Sequence, residues 1–410
     1  MNTRRDHLSK DTASATRQKP GPLTRLLRSN WTVVAGAFGA SFVAFMGLFN
    51  FGIFLNSLIE EFGKGKGPTA AVFSLTTFVY YQSGMVAGRL SDRYGPRPVI
   101  SASAVLVGTG FVLGSRAQSL WQLGLIWALT LGPGVGASYS PLVAAVGSRF
   151  VERRTLALGI ALSGAGVGIM AGAPVCNFLL HRYGWRTAFV ALGLSSALIL
   201  GICAITAKRP AGVVALAPPP MGPLLATRTF RLLFLAVALL SLAFFTPFVF
   251  LASYATGHGI GTGTTTVIVG LIGATSTFGR LVLAAIGGRI GEVGMYKVAH
   301  LLMAASFAVW LIAGSSAAML ALFAVLMGTG YGGFVGLAPS VLAREFGTER
   351  LGGLVGTLYS AFAFGSVLSP PLVGWLTDTV GTTPGILFAL VASAGALAAT
   401  LGLRAEPARL

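Results

Sequence analysis

The chain has 410 residues, of which 54% are hydrophobic and 10% are charged, and its mean hydropathy is +0.79. This composition excludes an ordinary soluble globular domain, because such domains carry about 25% charged residues. The formal net charge of +18 is compatible with nucleic-acid binding. However, the basic residues stand mainly between long apolar runs, so no nucleic-acid partner is expected.

The N-terminal residues 1–29 are polar and basic, and we expect them to form a cytoplasmic tail. No apolar core precedes Trp31, so no cleaved signal peptide is expected. A bilayer core of about 30 Å needs roughly 20 apolar residues in a helix. Twelve runs of this kind follow: 31–58, 70–90, 98–115, 119–147, 156–180, 185–207, 230–256, 267–290, 296–314, 317–342, 351–376 and 384–403.

A proline-rich segment at 208–229 separates the sixth run from the seventh. It is predicted to be a cytoplasmic linker between two six-helix bundles, 30–207 and 230–404, with a tail at 405–410. A shift of 196 residues places Gly132 on Gly328 and Pro174 on Pro370. The predicted fold class is therefore an all-α membrane protein with twelve transmembrane helices in two pseudo-symmetric six-helix bundles. Repeated bundles are typical of carriers that work by alternating access.

The distribution of positive charge predicts the orientation in the membrane. If both termini are cytoplasmic, the inner loops and tails hold 23 of the 29 Lys and Arg residues. The outer loops then hold five: Lys64, Lys66, Arg116, Arg182 and Arg186. Positive charge is retained on the cytoplasmic side, so a multi-pass plasma (inner) membrane protein with both termini inside is expected.

The loop after the second run reads GRLSDRYGPRPV, residues 88–99. Cations at a helix C-terminus complement its dipole, and glycine followed by proline turns the chain into the next helix. This stretch resembles the signature loop of the major facilitator superfamily, which implies the fold described above. The resemblance also implies a conformational latch made of Gly88, Arg89, Asp92, Arg93, Gly95 and Arg97, with Arg153 and Arg154 in the next cytoplasmic loop.

Residues 132–168 read GPGVGASYSPLVAAVGSRFVERRTLALGIALSGAGVG. They resemble the monocarboxylate transporter family and its bacterial relatives, including oxalate/formate exchangers, through Tyr139, Pro141, Phe150 and the pair Arg153 and Arg154. The resemblance implies a substrate-facing tyrosine at Tyr139. It also places the family's arginine of the eighth span on Arg280.

Arg280 is singled out by the residues themselves as well. It lies near the middle of the run 267–290, and a guanidinium does not deprotonate in practice. Burying it at that depth costs at least about 2.5–3.5 kcal/mol, so it needs a partner. All eleven Asp and Glu residues lie in predicted loops or at predicted helix ends. We therefore expect an anionic substrate to supply the partner; the alternative is a structural arginine that snorkels or bonds backbone carbonyls.

Three departures from the family pattern reduce the number of possible substrate classes. Proton-coupled members carry an aspartate one turn before the arginine, where this chain has Ser276, which does not carry a proton at ordinary pH. A lysine of mammalian members is replaced by Phe49 or Asn50. Oxalate exchangers add a cation in the eleventh span, and residues 351–376 contain none. One buried positive charge matches one negative charge, which favours a monocarboxylate.

Further candidates for lining the substrate cleft are polar residues inside the runs. The alternative for each of them is a helix-to-helix hydrogen bond. They are Asn50, Tyr80, Tyr81, Ser276, Tyr331 and Tyr359.

The sequence thus predicts a secondary transporter of a small organic anion, and not an enzyme. We expect no catalytic residues, no metal and no cofactor. The expected partners are a small carboxylate substrate and the lipid bilayer, with the monomer as the functional unit. An oxalate/formate-type exchanger and an exporter of larger organic compounds are the alternatives. Exchange, facilitated movement and proton symport all stay open.

Overall fold

The computed structural model describes residues 30–150, 154–207, 222–347 and 351–403, and every regular element within these ranges is a helix. The helices of the first half are α1 (Asn30–Leu48), α2 (Phe51–Phe62), α3 (Lys66–Tyr94), α4 (Pro96–Gly114), α5 (Leu120–Ile126), a π-helical segment (Trp127–Leu131), α6 (Gly132–Arg149) and α7 (Arg154–Thr206). The helices of the second half are α8 (Gly222–Leu225), α9 (Arg228–Phe244), α10 (Thr246–Gly257), α11 (Thr262–Ile290), α12 (Glu292–Leu311), α13 (Ala317–Phe346), α14 (Leu351–Thr379) and α15 (Thr382–Leu401).

Ten helical stretches of the described chain are long and apolar enough to cross a membrane. One of them covers most of α7, which is divided by Gly184, a residue with non-helical backbone angles, and this division adds one crossing segment. Helix α3 has 29 residues but is more polar, and it adds another. The described residues therefore form twelve crossing segments, as the sequence predicts.

Helices α1 to α7 form the first bundle, in which α7 packs against α1 and α4. Helices α9 to α15 form the second bundle, in which α13 packs against α11 and α12. The most extensive contacts between the bundles, among the described residues, are those of α3 with α14, α7 with α11, and α2 with α10. We call the end of the molecule where α1 begins and α15 ends the termini face, and the opposite end the far face.

The first span is broken between α1 and α2. The Asn50 Nδ2 group donates a hydrogen bond of 2.7 Å to the Met46 carbonyl. A side chain that bonds a backbone carbonyl in this way competes with the helical ladder. The sequence predicts one uninterrupted run at 31–58, so this break was not predicted.

The seventh span is broken at the equivalent place. Helix α9 ends at Phe244 and α10 begins at Thr246, with Pro247 in the first turn of α10. Proline has no N–H group to continue the α9 ladder, which accounts for the break. Phe245, at the break, follows Phe49 by the same 196-residue offset that relates the two halves.

The two broken spans meet near the far face. A Cβ atom on Gly52 of α2 would lie 2.7 Å from the Phe248 carbonyl oxygen and 2.8 Å from that of Val249, both on α10. Ser253 of α10 also donates a 2.8 Å hydrogen bond to Asn56 Oδ1 of α2. The backbones of the two bundles are therefore in direct contact here.

A second far-face contact joins α3 to α14. The Gly67 N–H group donates a 3.1 Å hydrogen bond to the Asp378 carboxylate. A Cβ atom on Gly374 would lie 2.6 Å from the Gly67 Cα atom, so glycine is needed at this crossing. The negative side chain thus lies at the positive end of the α3 dipole, where it is stabilising.

Gly184 provides a test of the break within α7. Its φ is +76°, and a Cβ atom there would meet no heavy atom within 4 Å. We expect Gly184→Ala to lower stability by about 1–2 kcal/mol through backbone strain alone. Gly201→Ala is the control, because Gly201 is helical and equally open, and we expect it to be neutral or stabilising. Thermal unfolding of the purified protein in detergent measures both, and equal effects would contradict this interpretation.

Candidate functional site

Arg280 lies in α11 where the second bundle meets the first. Its residue is 5% exposed, and its Nη1 group donates a hydrogen bond to the Leu162 carbonyl of α7. Helix α11 belongs to the second bundle and α7 to the first. The guanidinium therefore bonds a backbone group across the seam between the bundles.

Glycines on both sides bring the helices close enough for this bond. A Cβ atom on Gly273 of α11 would overlap the Gly166 carbonyl oxygen of α7 and lie 2.6 Å from the Met170 nitrogen. On the other side of α11, a Cβ atom on Gly332 of α13 would overlap the Ser276 carbonyl oxygen. Small residues permit this close approach in membrane helices. Helix α11 is thus held between α7 and α13 by backbone contacts.

No carboxylate stands near the middle of any described helix. Those within described helices lie in first or last turns: Glu60, Glu61, Asp92, Glu292, Glu345 and Asp378. The described helices therefore offer Arg280 no acidic side chain at its own depth. Its bond to the Leu162 carbonyl matches the structural alternative named for this arginine.

Ser276 lies one turn before Arg280 and is fully buried. Its hydroxyl donates a 2.9 Å hydrogen bond to the Gly273 carbonyl of its own helix. The hydroxyl proton is therefore engaged within α11, and only the oxygen lone pairs are available as acceptors.

Three of the predicted tyrosines belong to one aromatic cluster between the bundles. Tyr81 of α3 stacks on Phe362 of α14, with ring centroids 5.7 Å apart and an interplanar angle of 17°. Tyr359 is 6.2 Å from the same Phe362, and Tyr331 lies 4.8 Å from Phe244. We define the aromatic cluster as Phe49, Phe73, Tyr81, Phe244, Phe245, Phe248, Tyr331, Phe334, Tyr359 and Phe362.

The rings of the aromatic cluster interlock across the seam. Phe49 of the first bundle lies 5.1 Å from Phe248 of the second, and Phe73 lies 5.9 Å from Phe245. Tyr80, also predicted, is 3% exposed and lies 4.6 Å from Tyr81. The tyrosines are predicted from the sequence but the phenylalanines are not, because single apolar rings carry no sign of function in an apolar span.

Asn50 lies at the break of the first span and is 1% exposed. Its Oδ1 atom has no hydrogen-bond partner among the described residues. The neighbouring Gly172 of α7 leaves space for the amide, since a Cβ atom there would overlap Asn50 Nδ2. The side chain thus faces α7 within its own bundle.

The other predicted residues are placed only in part. The Tyr139 side chain lies outside the described residues, as do those of Asp92 and Arg154 and the whole of Arg153. Gly95 has φ +90° and its N–H group bonds the Ser91 carbonyl at 2.8 Å, so it forms the turn between α3 and α4.

The basic residues of the proposed latch lie at the termini face. Arg89, Arg93 and Arg97 are exposed, Gly88 is half-buried, and the Arg93 guanidinium lies 5.2 Å from the Tyr94 ring centroid. The role of this loop as a latch stays a prediction.

Twelve crossing segments in two bundles, with a cation at their seam, define the class of membrane transport proteins built from two helical repeats. The family model of the Major Facilitator Superfamily matches residues 37–353. The chain therefore belongs to the major facilitator superfamily, and it is a multi-pass membrane transporter and not an enzyme.

Relatives with known names place the chain near the monocarboxylate transporters. It is 30% identical to monocarboxylate transporter 13 of Rattus norvegicus over 363 residues, covering 86% of this chain and 83% of that protein. It is also 30% identical to monocarboxylate transporter 11 of Mus musculus over 377 residues, with coverage of 86% and 82%. The aspyridones efflux protein apdF of Emericella nidulans is 28% identical over 360 residues, with coverage of 86% and 72%.

A solved structure agrees on the fold. A bacterial homologue of the human lysosomal transporter Spinster matches with a TM-score of 0.71 at 16% identity, covering 91% of this chain and 97% of that one. The predicted fold class and the resemblance to the monocarboxylate transporter family are thereby confirmed.

The close contact between α11 and α13 within the second bundle yields a prediction. In Gly332→Ala, the new methyl group would displace the backbone that carries Ser276 and Arg280, and overpacking of this kind costs about 1–3 kcal/mol. Gly288→Ala is the control on α11, because a Cβ atom there meets nothing within 4 Å. Melting temperatures in detergent should fall for the first variant only. A Gly332→Ala protein as stable as the control would contradict the close packing of α11 against α13.

Proposed function

We propose that the chain moves a small organic anion across the membrane by alternating access, with a monocarboxylate as the favoured substrate. Arg280 serves as the counter-charge of the substrate. The observation that carries the proposal is a buried guanidinium at the seam between the bundles, in a chain whose described helices hold acids only in their end turns.

The proposed binding mode follows from the chemistry of the guanidinium. A carboxylate meets it through two parallel charge-assisted hydrogen bonds, which are roughly twice as strong as neutral ones. The Leu162 carbonyl offers only a partial negative charge. A carboxylate therefore competes favourably for Arg280, and binding replaces a contact between the bundles with a contact to the substrate.

This exchange of partners also provides the proposed trigger. Without an anion, movement of the two bundles leaves a buried positive charge without a full negative charge to compensate it, which is costly. With a carboxylate bound, the charge is neutralised, and the bundles reorient around the pair. The substrate thus lowers the free-energy cost of the transition, because it binds the two conformations of the carrier with different affinity.

The charge count supports a monocarboxylate over oxalate. Helix α14 contains no Lys or Arg along its length, so it adds no second cation to the cleft. We further propose Tyr139, Ser276, Asn50, Tyr81, Tyr331 and Tyr359 as lining residues, with the half-buried Tyr81 and Tyr359 beside the aromatic cluster.

The orientation of the chain in the membrane and its division into two bundles are also proposed. The plasma membrane and cytoplasmic termini are proposed from the charge distribution of the loops, and a functional monomer is proposed because one chain supplies both bundles. The bundle boundaries 30–207 and 230–404 and the linker 208–229 are proposed from the apolar runs and the proline-rich segment between them. Residues 208–221 of this linker lie outside the described residues.

Export of larger organic anions is the second candidate. It is favoured by the 28% identity to an aspyridones efflux protein over most of both chains. Most rings of the aromatic cluster are buried against one another in this state, and on separation of the bundles they would offer faces to a bulky apolar substituent. The two candidates share Arg280 and differ in the size of the group attached to the anion.

Counterflow in proteoliposomes tests the proposal and separates the candidates. Vesicles containing the purified full chain are preloaded in turn with lactate, pyruvate, formate, oxalate or a bulky aromatic carboxylate, and uptake of the same labelled compound is followed. Uptake driven by lactate or pyruvate supports the monocarboxylate. Uptake driven only by the bulky compound supports the exporter, and no uptake from a folded protein contradicts both.

Arg280 variants provide the matching prediction. Removing one partner of a buried charge pair costs about 2–5 kcal/mol, so Arg280→Gln should reduce counterflow by roughly 30-fold or more. Arg280→Lys should recover only part of the rate, because an ammonium lacks the bidentate fork. Arg289→Gln is the control, since Arg289 is exposed in the last turn of the same helix. Normal counterflow by Arg280→Gln would refute the counter-charge role.

A further inference from the structure

A small cavity lies near the far face, away from Arg280, where α3 of the first bundle meets the second bundle. Its volume is about 20 Å³, and one water molecule needs roughly 10–15 Å³. The cavity therefore accommodates one water-sized or monatomic ligand and is too small for a carboxylate. Lys66 of α3, Thr246 of α10 and Trp310 of α12 are among its lining residues.

Two of the residues that line the cavity carry a buried polar atom without a partner in the described part of the chain. These atoms are Thr246 Oγ1 and Trp310 Nε1, and each residue is 1% exposed. The indole N–H group only donates, and the threonine hydroxyl is able to donate. Buried donors without an acceptor are rare because their desolvation is not compensated. These two groups therefore require an acceptor inside the cavity.

No neighbouring hydroxyl oxygen of the described residues forms a hydrogen bond with either of these two donors. Ser253 already donates to Asn56 Oδ1 at 2.8 Å, and Thr377 donates to the Val373 carbonyl at 2.7 Å. Both also line the cavity. The hydroxyl protons of Ser253 and Thr377 are therefore already donated. Thr246 and Trp310 are the lining residues whose donors are still available to a ligand.

The charged groups that line the cavity itself are positive. Lys66 is one of its lining residues, and helices α3 and α15 begin at Lys66 and Thr382, which also lines it. Helix N-termini carry partial positive charge and attract anions. No Asp or Glu is among the described lining residues; the adjacent Asp378 carboxylate accepts the Gly67 amide instead.

We propose that this cavity binds one monatomic anion, with chloride as the natural occupant. The Thr246 hydroxyl and the Trp310 indole N–H donate to the ion, and the Lys66 ammonium compensates its charge. Lys66 belongs to the first bundle, whereas Thr246 and Trp310 belong to the second. The site is therefore complete only when the bundles are in contact at the far face, and by linkage chloride stabilises that state.

The test is thermal unfolding of the purified full chain in detergent, in sodium chloride or sodium bromide against sodium gluconate at equal ionic strength. A ligand that binds only the folded state raises the melting temperature, here by roughly 1–3 °C at about tenfold above its Kd. Thr246→Val and Lys66→Gln should each remove the halide-dependent shift. Lys64→Gln is the matched control and should keep it, because Lys64 does not line this cavity.

Two outcomes would overturn the proposal. A wild-type chain equally stable in chloride, bromide and gluconate means that the cavity holds a water molecule and not an anion. A halide shift that persists in both Thr246→Val and Lys66→Gln means a general salt effect. Unfolding in gluconate checks that the variants fold, and there Thr246→Val should match the wild type because the lost hydroxyl has no partner among the described residues.

Discussion

The compensation of one charge in the middle of the membrane is the constraint on which this structure depends. A guanidinium at this depth cannot lose its proton, so it must bond something polar. The described helices place their acids only in end turns, and Arg280 bonds the Leu162 carbonyl. That carbonyl belongs to the other bundle. The bond that compensates the charge of Arg280 therefore also joins the two bundles. An anion that replaced this bond would change both the charge compensation and the contact between the bundles.

The reach of this side chain depends on glycine. Helix association in a membrane has no hydrophobic driving force, so it relies on close packing. Gly166, Gly273 and Gly332 allow α7, α11 and α13 to approach until their backbones touch. Bulkier residues would separate these helices by the width of a side chain, and the guanidinium would no longer meet a carbonyl across the seam.

Different regions of the interface between the bundles have different chemistry. The seam at Arg280 is charged and lined with glycine. The aromatic cluster interlocks rings from both bundles, and the far face is joined by hydrogen bonds such as those of Ser253 and Gly67. Breaks in the first and seventh spans occur at equivalent positions, so α2 and α10 form separate short helices at the far face. The proposed chloride site belongs to this same region, next to the contact between α3 and α14.

Sequence alone determined the spans, the repeat and the choice of Arg280. Hydrophobicity over about 20 residues is a local property, and a charge within such a run is visible without any coordinates. Pro247 was an available sign of the break in the seventh span, whereas the break at Asn50 depends on its own bond to Met46.

Only the tertiary structure decided which groups meet. Arg280 bonds a backbone carbonyl, and every residue has one, so no residue type marks Leu162 in the sequence. Tyr81 and Phe362 stack although they lie in different bundles. Lys66 and Thr246 also come from different bundles, and both line the far-face cavity. Such pairs arise from how two folded bundles pack against each other, which is a long-range property that local sequence patterns do not encode.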